Sequence, residues 1–252
     1  MIVKKIIKYI SSIPLRLINY FYYTARPKAL NPISYLRDKN EKISINELKK
    51  IDSGKLFILI KELLKKSGST GCEFSDYYEL YKQLNHHKPK MILECGSGIS
   101  SLVIAYFISK RSNAEEYKCI SCEENQNYHS QIKNIFPADY AQFIDFVHLV
   151  RKEGVINGIN CSFYDGLPKK NYDYIFIDGP TFRINSESQK CFNSDLINII
   201  KQNDNITVNG IMDQRMINYI TYRKLMPHAS IKYNVVKKLS YLENISQDKL
   251  II

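Results

Sequence analysis

The chain lacks the marks of several whole classes of protein. With 10 Gly and 8 Pro among 252 residues, it has neither the glycine period of collagen nor the biased tracts of mucins and disordered linkers. No internal repeat is present, which excludes repeat architectures. No apolar run is long enough to span a bilayer: in the Ile- and Tyr-rich N-terminus, Lys8, Pro14 and Arg16 interrupt it. That segment also lacks the clean apolar centre and small-residue cleavage site of a secretory signal. The sequons at Asn160, Asn205 and Asn244 therefore carry no weight as glycosylation sites. Of six cysteines, Cys119 and Cys122 form a lone Cys-x-x-Cys. They lie in a strand-like run that turns their side chains to opposite faces. No second such pair and no His pair completes a zinc site. Free, buried thiols in a reducing cytoplasm are the expectation.

What is present points to one large α/β domain. A hydrophobic fraction of 44% allows a sizeable core. The net charge of +11 suits acidic partners such as nucleic acid, an anionic membrane or an anionic substrate, but the lysines are scattered as on a solvated surface. Residues 1–40 read as a basic amphipathic extension, with two short helices broken near Pro14. Two roles are open to it: packing against protein, or peripheral contact of residues 1–26 with the inner membrane surface. Residues 41–252 read as the functional domain. Helices are expected over 45–66, with a break at Ser53-Gly54, and over the segment opened by Ser75 and Asp76. From Lys90 onward short apolar runs alternate with helical segments. The last two segments suggest a terminal antiparallel pair. The expected fold is a Rossmann-like, doubly wound, mostly parallel seven-stranded sheet with helices on both faces.

In such sheets the ligand lies beyond the carboxyl ends of the strands. After the first strand stands Glu94-Cys95-Gly96-Ser97-Gly98, then Ser100 and Ser101 at a helix start. Gly96 and Gly98 remove side chains where backbone approaches a ligand or turns sharply. The third glycine of a dinucleotide fingerprint is absent, and an acidic Glu94 precedes the turn. A carboxylate there repels a pyrophosphate but suits the ammonium and sulfonium of a phosphate-free nucleoside. After the second strand come Glu123 and Glu124, of which Glu123 is placed to accept from a ribose diol. Asp178-Gly179-Pro180 follows the fourth strand and Asp213-Gln214 the fifth. Tyr164, Asp165 and Gly166, in the loop before the fourth strand, are candidates for the adenine, or simply a turn. Arg183 and Arg215 either meet an anionic acceptor or face solvent, solvent being the expected setting. Of the five histidines, His129 is expected to face solvent and His148 to be structural.

The segments MILECGSGISSLVIAYF, CISCEENQNYHSQI and YDYIFIDGP together resemble class I S-adenosylmethionine-dependent methyltransferases over roughly residues 75–215. The FIDGP ending resembles a subset of small-molecule and carbohydrate O-methyltransferases. The resemblance implies a cofactor cradle of Glu94, Gly96, Ser97, Gly98, Ser100, Ser101, Glu123, Glu124, Asp165 and Asp178. It also implies Asp178 and Asp213 as catalytic groups. In metal-dependent relatives the residues matching Asp178, Asp213 and Gln214 hold Mg²⁺, a set of oxygens that suits that ion. No Asp-Pro-Pro-Tyr or Asn-Pro-Pro-Tyr follows the fourth strand, which removes support for methylation of exocyclic amines on bases. The leading expectation is O-methylation of a sugar or other small polar acceptor in the cytoplasm. The alternatives are an RNA methyltransferase, suggested by the charge, and a non-catalytic module of the same fold that docks a membrane or a complex.

Overall fold

The structure is a computed structural model, and it describes residues 32–67, 73–183, 190–202 and 206–251. The two helices and the membrane contact expected of residues 1–26 lie outside the described residues. So does the loop around Cys72. No helix among the described residues is long and apolar enough to cross a membrane.

Three helices precede the sheet: α1 (Pro32–Lys50), α2 (Lys55–Ser67) and α3 (Phe74–His87). Of the polar stretch 25–42, expected to end the extension, residues 32–42 form the first part of α1 and the rest lies outside the described residues. Proline is well tolerated in a first helical turn, where its missing N–H costs nothing. The break expected at Ser53-Gly54 is real. Asp52 and Ser53 adopt left-handed backbone conformations and separate α1 from α2. Helix α3 is capped by Glu73 rather than by Ser75 or Asp76, and Asp76 bonds back to the Glu73 amide at 3.0 Å. Glu41 of α1 receives the amides of Phe74 and Ser75 at 2.9 and 2.8 Å, which satisfies two donors of the first turn of α3.

Strands β1 (Met91–Cys95), β2 (Lys118–Glu123) and β3 (Ile144–His148) alternate with α4 (Ile99–Ser109), α5 (Gln126–Ile135) and the single turn α6 (Ala138–Ala141). A hairpin of β4 (Arg151–Ile156) and β5 (Ile159–Tyr164) follows. The chain continues through β6 (Tyr174–Ile177), β7 (Phe192–Asn193), α7 (Asp195–Lys201), β8 (Val208–Met212), α8 (Met216–Leu225), β9 (Ser230–Asn234) and β10 (Leu239–Ile245). The main sheet has the order β3-β2-β1-β6-β8-β10-β9. Its first five strands are parallel, and β10 runs antiparallel between β8 and β9. The expected seven-stranded, mostly parallel sheet is thus observed, with its terminal antiparallel pair.

Two elements were not expected. The β4–β5 hairpin turns on Asn157-Gly158, both at positive φ (51° and 75°), and β5 joins β7 to form a second, three-stranded sheet. Helix α8 fills a connection for which no element was expected.

Side-chain alternation divides the core between the two faces of the sheet. Ile92, Cys119, Tyr174, Phe176 and Ile211 pack with α2, α3 and α4. Leu93, Cys95, Cys122, Ile175, Ile177 and Met212 pack with α7, α8 and the hairpin. Cys119 and Cys122 thus face opposite sides, and the five described cysteines are free and buried. In the centre of β8, Gly210 lies opposite Ile175 of β6. A Cβ there would overlap the Ile175 carbonyl oxygen and come within 2.7 Å of its Cγ2. Gly210→Ala is therefore expected to destabilise the fold by about 3 kcal/mol or more, since neither strand can withdraw. Urea unfolding midpoints of the two proteins measure it; an unchanged midpoint would refute the close approach.

Candidate active site

Parallel register sets the carboxyl ends of β1, β2, β6 and β8 side by side. In β1 and β2, Glu94 is the Cα partner of Ser121 and Cys95 of Cys122. After Cys95 the chain turns at Gly96, whose φ of +94° disfavours any residue with a Cβ. The sharp turn expected of that glycine is therefore observed, and the same missing side chain also lets the protein's own backbone come close. A Cβ on Gly96 would stand 2.9 Å from the Gly179 amide nitrogen and 3.0 Å from the Asp178 carbonyl carbon. The turn after β1 and the loop after β6 therefore touch main chain to main chain.

Glu94 is fully buried beneath this turn rather than displayed on it. The Gly98 amide donates to Ser101 Oγ at 3.1 Å, and Ser101 and Ser121 each donate to Glu94 Oε2 at 2.5 Å. The glutamate thus fixes the N-terminus of α4 and the end of β2, with Ser100 also bearing on it. Burial, helped by the charge of Glu123, pushes its carboxyl up to about 7 against the hydroxyls, which favour the ionised form.

Glu123 stands at the end of β2 and is 8% exposed. Its Oε1 accepts the Asn125 amide at 2.8 Å, and Ser97 Oγ donates to Oε2 at 3.5 Å. Burial raises its carboxyl pKa above the ordinary range, and Glu124 adds to that. Ser97 and Glu123 therefore meet across the ends of β1 and β2. Asn125 also caps α5 by accepting the Tyr128 amide at 3.0 Å.

Glu124, expected beside the cofactor, is occupied otherwise. It accepts both the amide and the hydroxyl of Thr181 at 2.6 Å. Arg151 of the hairpin donates to the carbonyls of Thr181 and Arg183, each at 2.9 Å. Asn193 holds the Gly179 carbonyl at 3.0 Å and the buried Asp195 at 2.6 Å. Asp195 in turn accepts the Tyr164 amide at 3.0 Å. Tyr164 is buried under the Gly179 loop, while Asp165 pairs with Lys152 at 2.8 Å. Among the described residues, no hydrogen bond or ion pair joins Asp165 to the turn or to Glu123. The loop after β6, with its cis Gly179-Pro180 bond, is thus tied down from three directions. Neither Arg151 nor Asn193 is signalled in the sequence, because neither lies at the end of a strand of the main sheet. His148 is exposed, its Nε2 donates to the Glu124 carbonyl at 3.1 Å, and its ring lies tilted 6.0 Å from that of His129. His129 is half-buried rather than solvent-facing.

Asp178 and Asp213 come together as expected, but around a cation of the protein's own. Arg215, expected in solvent, is 12% exposed and folds back into the site. Its Nε lies 2.9 Å from Asp213 Oδ2, and Nη2 lies 3.8 Å from Asp178 Oδ1. Its other donors hold the carbonyls of Pro180, at 2.5 Å, and of Asp178. Phe182 lies 5.4 Å beneath the guanidinium. Burial, with a further contribution from Asp178, raises the Asp213 carboxyl pKa despite Arg215. The Mg²⁺ site expected of Asp178, Asp213 and Gln214 does not fit this arrangement. Gln214 is exposed, Asp213 is committed to Arg215, and among the described residues no three His, Cys, Asp or Glu groups cluster as metal ligands. Two unit charges about 4 Å apart interact by roughly 4 kcal/mol at an effective dielectric of about 20, so a divalent ion beside the guanidinium would be strongly repelled.

No family model matches the chain, and no curated protein does. Among solved structures it is similar to a Staphylococcus aureus protein provisionally named a caffeoyl-CoA O-methyltransferase, at 14% identity and a TM-score of 0.53, over 81% of this chain and 99% of that one. A provisionally named O-methyltransferase from Klebsiella pneumoniae aligns at 14% identity and a TM-score of 0.47, over 74% and 90% of the two chains. A methyltransferase from Geobacter sulfurreducens aligns at 8% identity and a TM-score of 0.47, over 75% and 90%. The first of these shows that the two chains share a fold.

Glu94 ties the turn to pH. Its carboxyl has an ordinary pKa of 4.5 and is raised to about 7 in the fold. Between those values the folded state binds more protons than the unfolded one, so this contribution to stability falls as pH rises. Glu94→Gln keeps an acceptor for both serines but has no charge to bury. The variant should gain on the wild type by on the order of 3 kcal/mol between about pH 5 and pH 8. Urea unfolding across that range checks it; parallel curves would show that the carboxyl is not perturbed.

Proposed function

We propose that this protein is an S-adenosylmethionine-dependent methyltransferase that acts on a hydroxyl of a sugar or other small polar acceptor. The observation that supports this most is the meeting of Ser97 with Glu123 beside a glycine turn, one strand away from the Asp178 carboxylate. The edge nearest that turn carries carboxylates and hydroxyls, which suit a cationic, phosphate-free nucleoside. The cofactor, when bound, supplies a sulfonium methyl whose displacement leaves a neutral thioether.

The chain's own residues then have separate tasks. Glu123 accepts hydrogen bonds from the ribose diol. Gly96, Ser97 and Gly98 present backbone to the amino-acid portion, and Glu94 holds that backbone in place from below. Asp178, 32% exposed at the end of β6, takes the proton of the acceptor hydroxyl as its oxygen forms the new bond to the methyl carbon. The loop after β6 aligns oxygen, methyl and sulfur and excludes water, which is most of what a displacement with so activated a leaving group needs.

Equilibrium dialysis with labelled S-adenosylmethionine tests the cofactor reading; no binding would end it. Glu123→Ala should weaken that binding by about 1–3 kcal/mol, the cost of losing a buried hydrogen-bonding partner. Turnover on pools of sugar nucleotides and of RNA then identifies the acceptor class, and methylation confined to RNA would overturn the small-acceptor reading. Asp178→Asn should lower turnover by about 100-fold or more with little change in cofactor affinity. Unchanged turnover would remove Asp178 from the chemistry.

A further inference from the structure

The acceptor side of the site contains an arginine where the Asp-Asp-Gln pattern allows a divalent ion. We propose that the Arg215 guanidinium stands in the place of that ion, so that acceptor binding and methyl transfer at this edge need no metal. The inference rests on the methyltransferase reading for its chemistry but not for its geometry.

Four observations support it. The Nε of Arg215 takes Asp213 Oδ2 at 2.9 Å, an oxygen a metal would require. Its Nη groups bond the Pro180 and Asp178 carbonyls, so the cation is held by the strand end and loop that a bridging ion would otherwise join. Phe182 flanks the guanidinium and fixes its plane. The side chain is 12% exposed, so it is part of the packed site and not a surface arginine folded over it. Mg²⁺ needs near-octahedral oxygen coordination at about 2.1 Å, and a guanidinium bonded to the same carboxylate denies it that geometry.

The consequence concerns the acceptor. A metal centre of this kind selects for two neighbouring hydroxyls that chelate the ion. With a guanidinium in its place, a single hydroxyl within reach of Asp178 suffices. Arg215 is a positioning residue: it orients Asp178 and neutralises the carboxyl pair, while Asp178 handles the proton.

The test is a titration of the full chain with Mn²⁺ followed by electron paramagnetic resonance, a readout that needs neither cofactor nor acceptor. Up to about 1 mM Mn²⁺, the wild type should bind no stoichiometric ion. Arg215→Gln should bind Mn²⁺ at least ~10-fold more tightly than the wild type, because it frees Asp213 and removes the repelling charge. One tightly bound Mn²⁺ per wild-type chain would overturn the proposal, as would equal, absent binding by a folded Arg215→Gln. Should that variant not fold, the wild-type titration decides alone, with Arg215→Lys, which keeps the charge, expected to exclude the ion as the wild type does. Cofactor binding is measured separately by dialysis. A protein that binds neither ion nor cofactor would fail as a methyltransferase while keeping its guanidinium site.

Discussion

The contact between two main chains, at Gly96 and Gly179, sets the geometry of everything around it. A sheet can bring two strand ends side by side, but side chains normally hold the following turns apart. Here both turns are bare at the point of contact, and the ends of β1 and β6 close to the distance of touching backbones. That closure sets the spacing between the Ser97–Glu123 edge and the Asp178 carboxylate. It also explains why so much buried polar structure lies below the surface: a turn with no side chain to wedge it needs support from beneath, and Glu94 with its serines provides it.

The loop from Asp178 to Arg183 shows the same logic on the other side. Its carbonyls at Asp178 and Pro180 go to Arg215, that of Gly179 to Asn193, and those of Thr181 and Arg183 to Arg151. These partners come from β8's end, from β7 and from the hairpin, three places distant in sequence. Charge is balanced locally as well: a guanidinium sits against each acidic cluster, Arg215 with Asp178 and Asp213, and Arg151 near Glu124 at 3.9 Å. Such preorganisation holds groups in place before a substrate arrives, which is where catalytic geometry gains most.

The fold, and the placing of the candidate residues at strand ends, were legible in the sequence because buried parallel strands are short apolar runs with polar residues just past their ends. MILEC, YIFI and the run ending at Met212 announce themselves in this way. The Asn157-Gly158 pair between Ile156 and Ile159 carried a hairpin signal of the strongest kind, but the surrounding charged residues masked the alternation. Roles were harder to read than positions. Glu94 and Glu124 were correctly placed at strand ends, yet nothing local distinguishes a carboxylate aimed at a ligand from one spent on Ser101 or Thr181. Arg215 shows the same limit: two residues after Asp213, it reads as a solvent arginine until tertiary structure folds it back over the Pro180 carbonyl.

The strand order implies a rule for how the molecule is assembled on the ribosome. Strand β9 leaves the exit tunnel before β10, yet it reaches the sheet only by pairing with β10, which itself pairs with β8. During synthesis β8 therefore carries an open edge, and β9 has no neighbour in the sheet, until the residues up to Ile245 have emerged. A nascent chain stalled in that interval presents an open sheet edge and an unpaired strand at once, the state in which edge-to-edge aggregation is easiest and chaperone protection matters most.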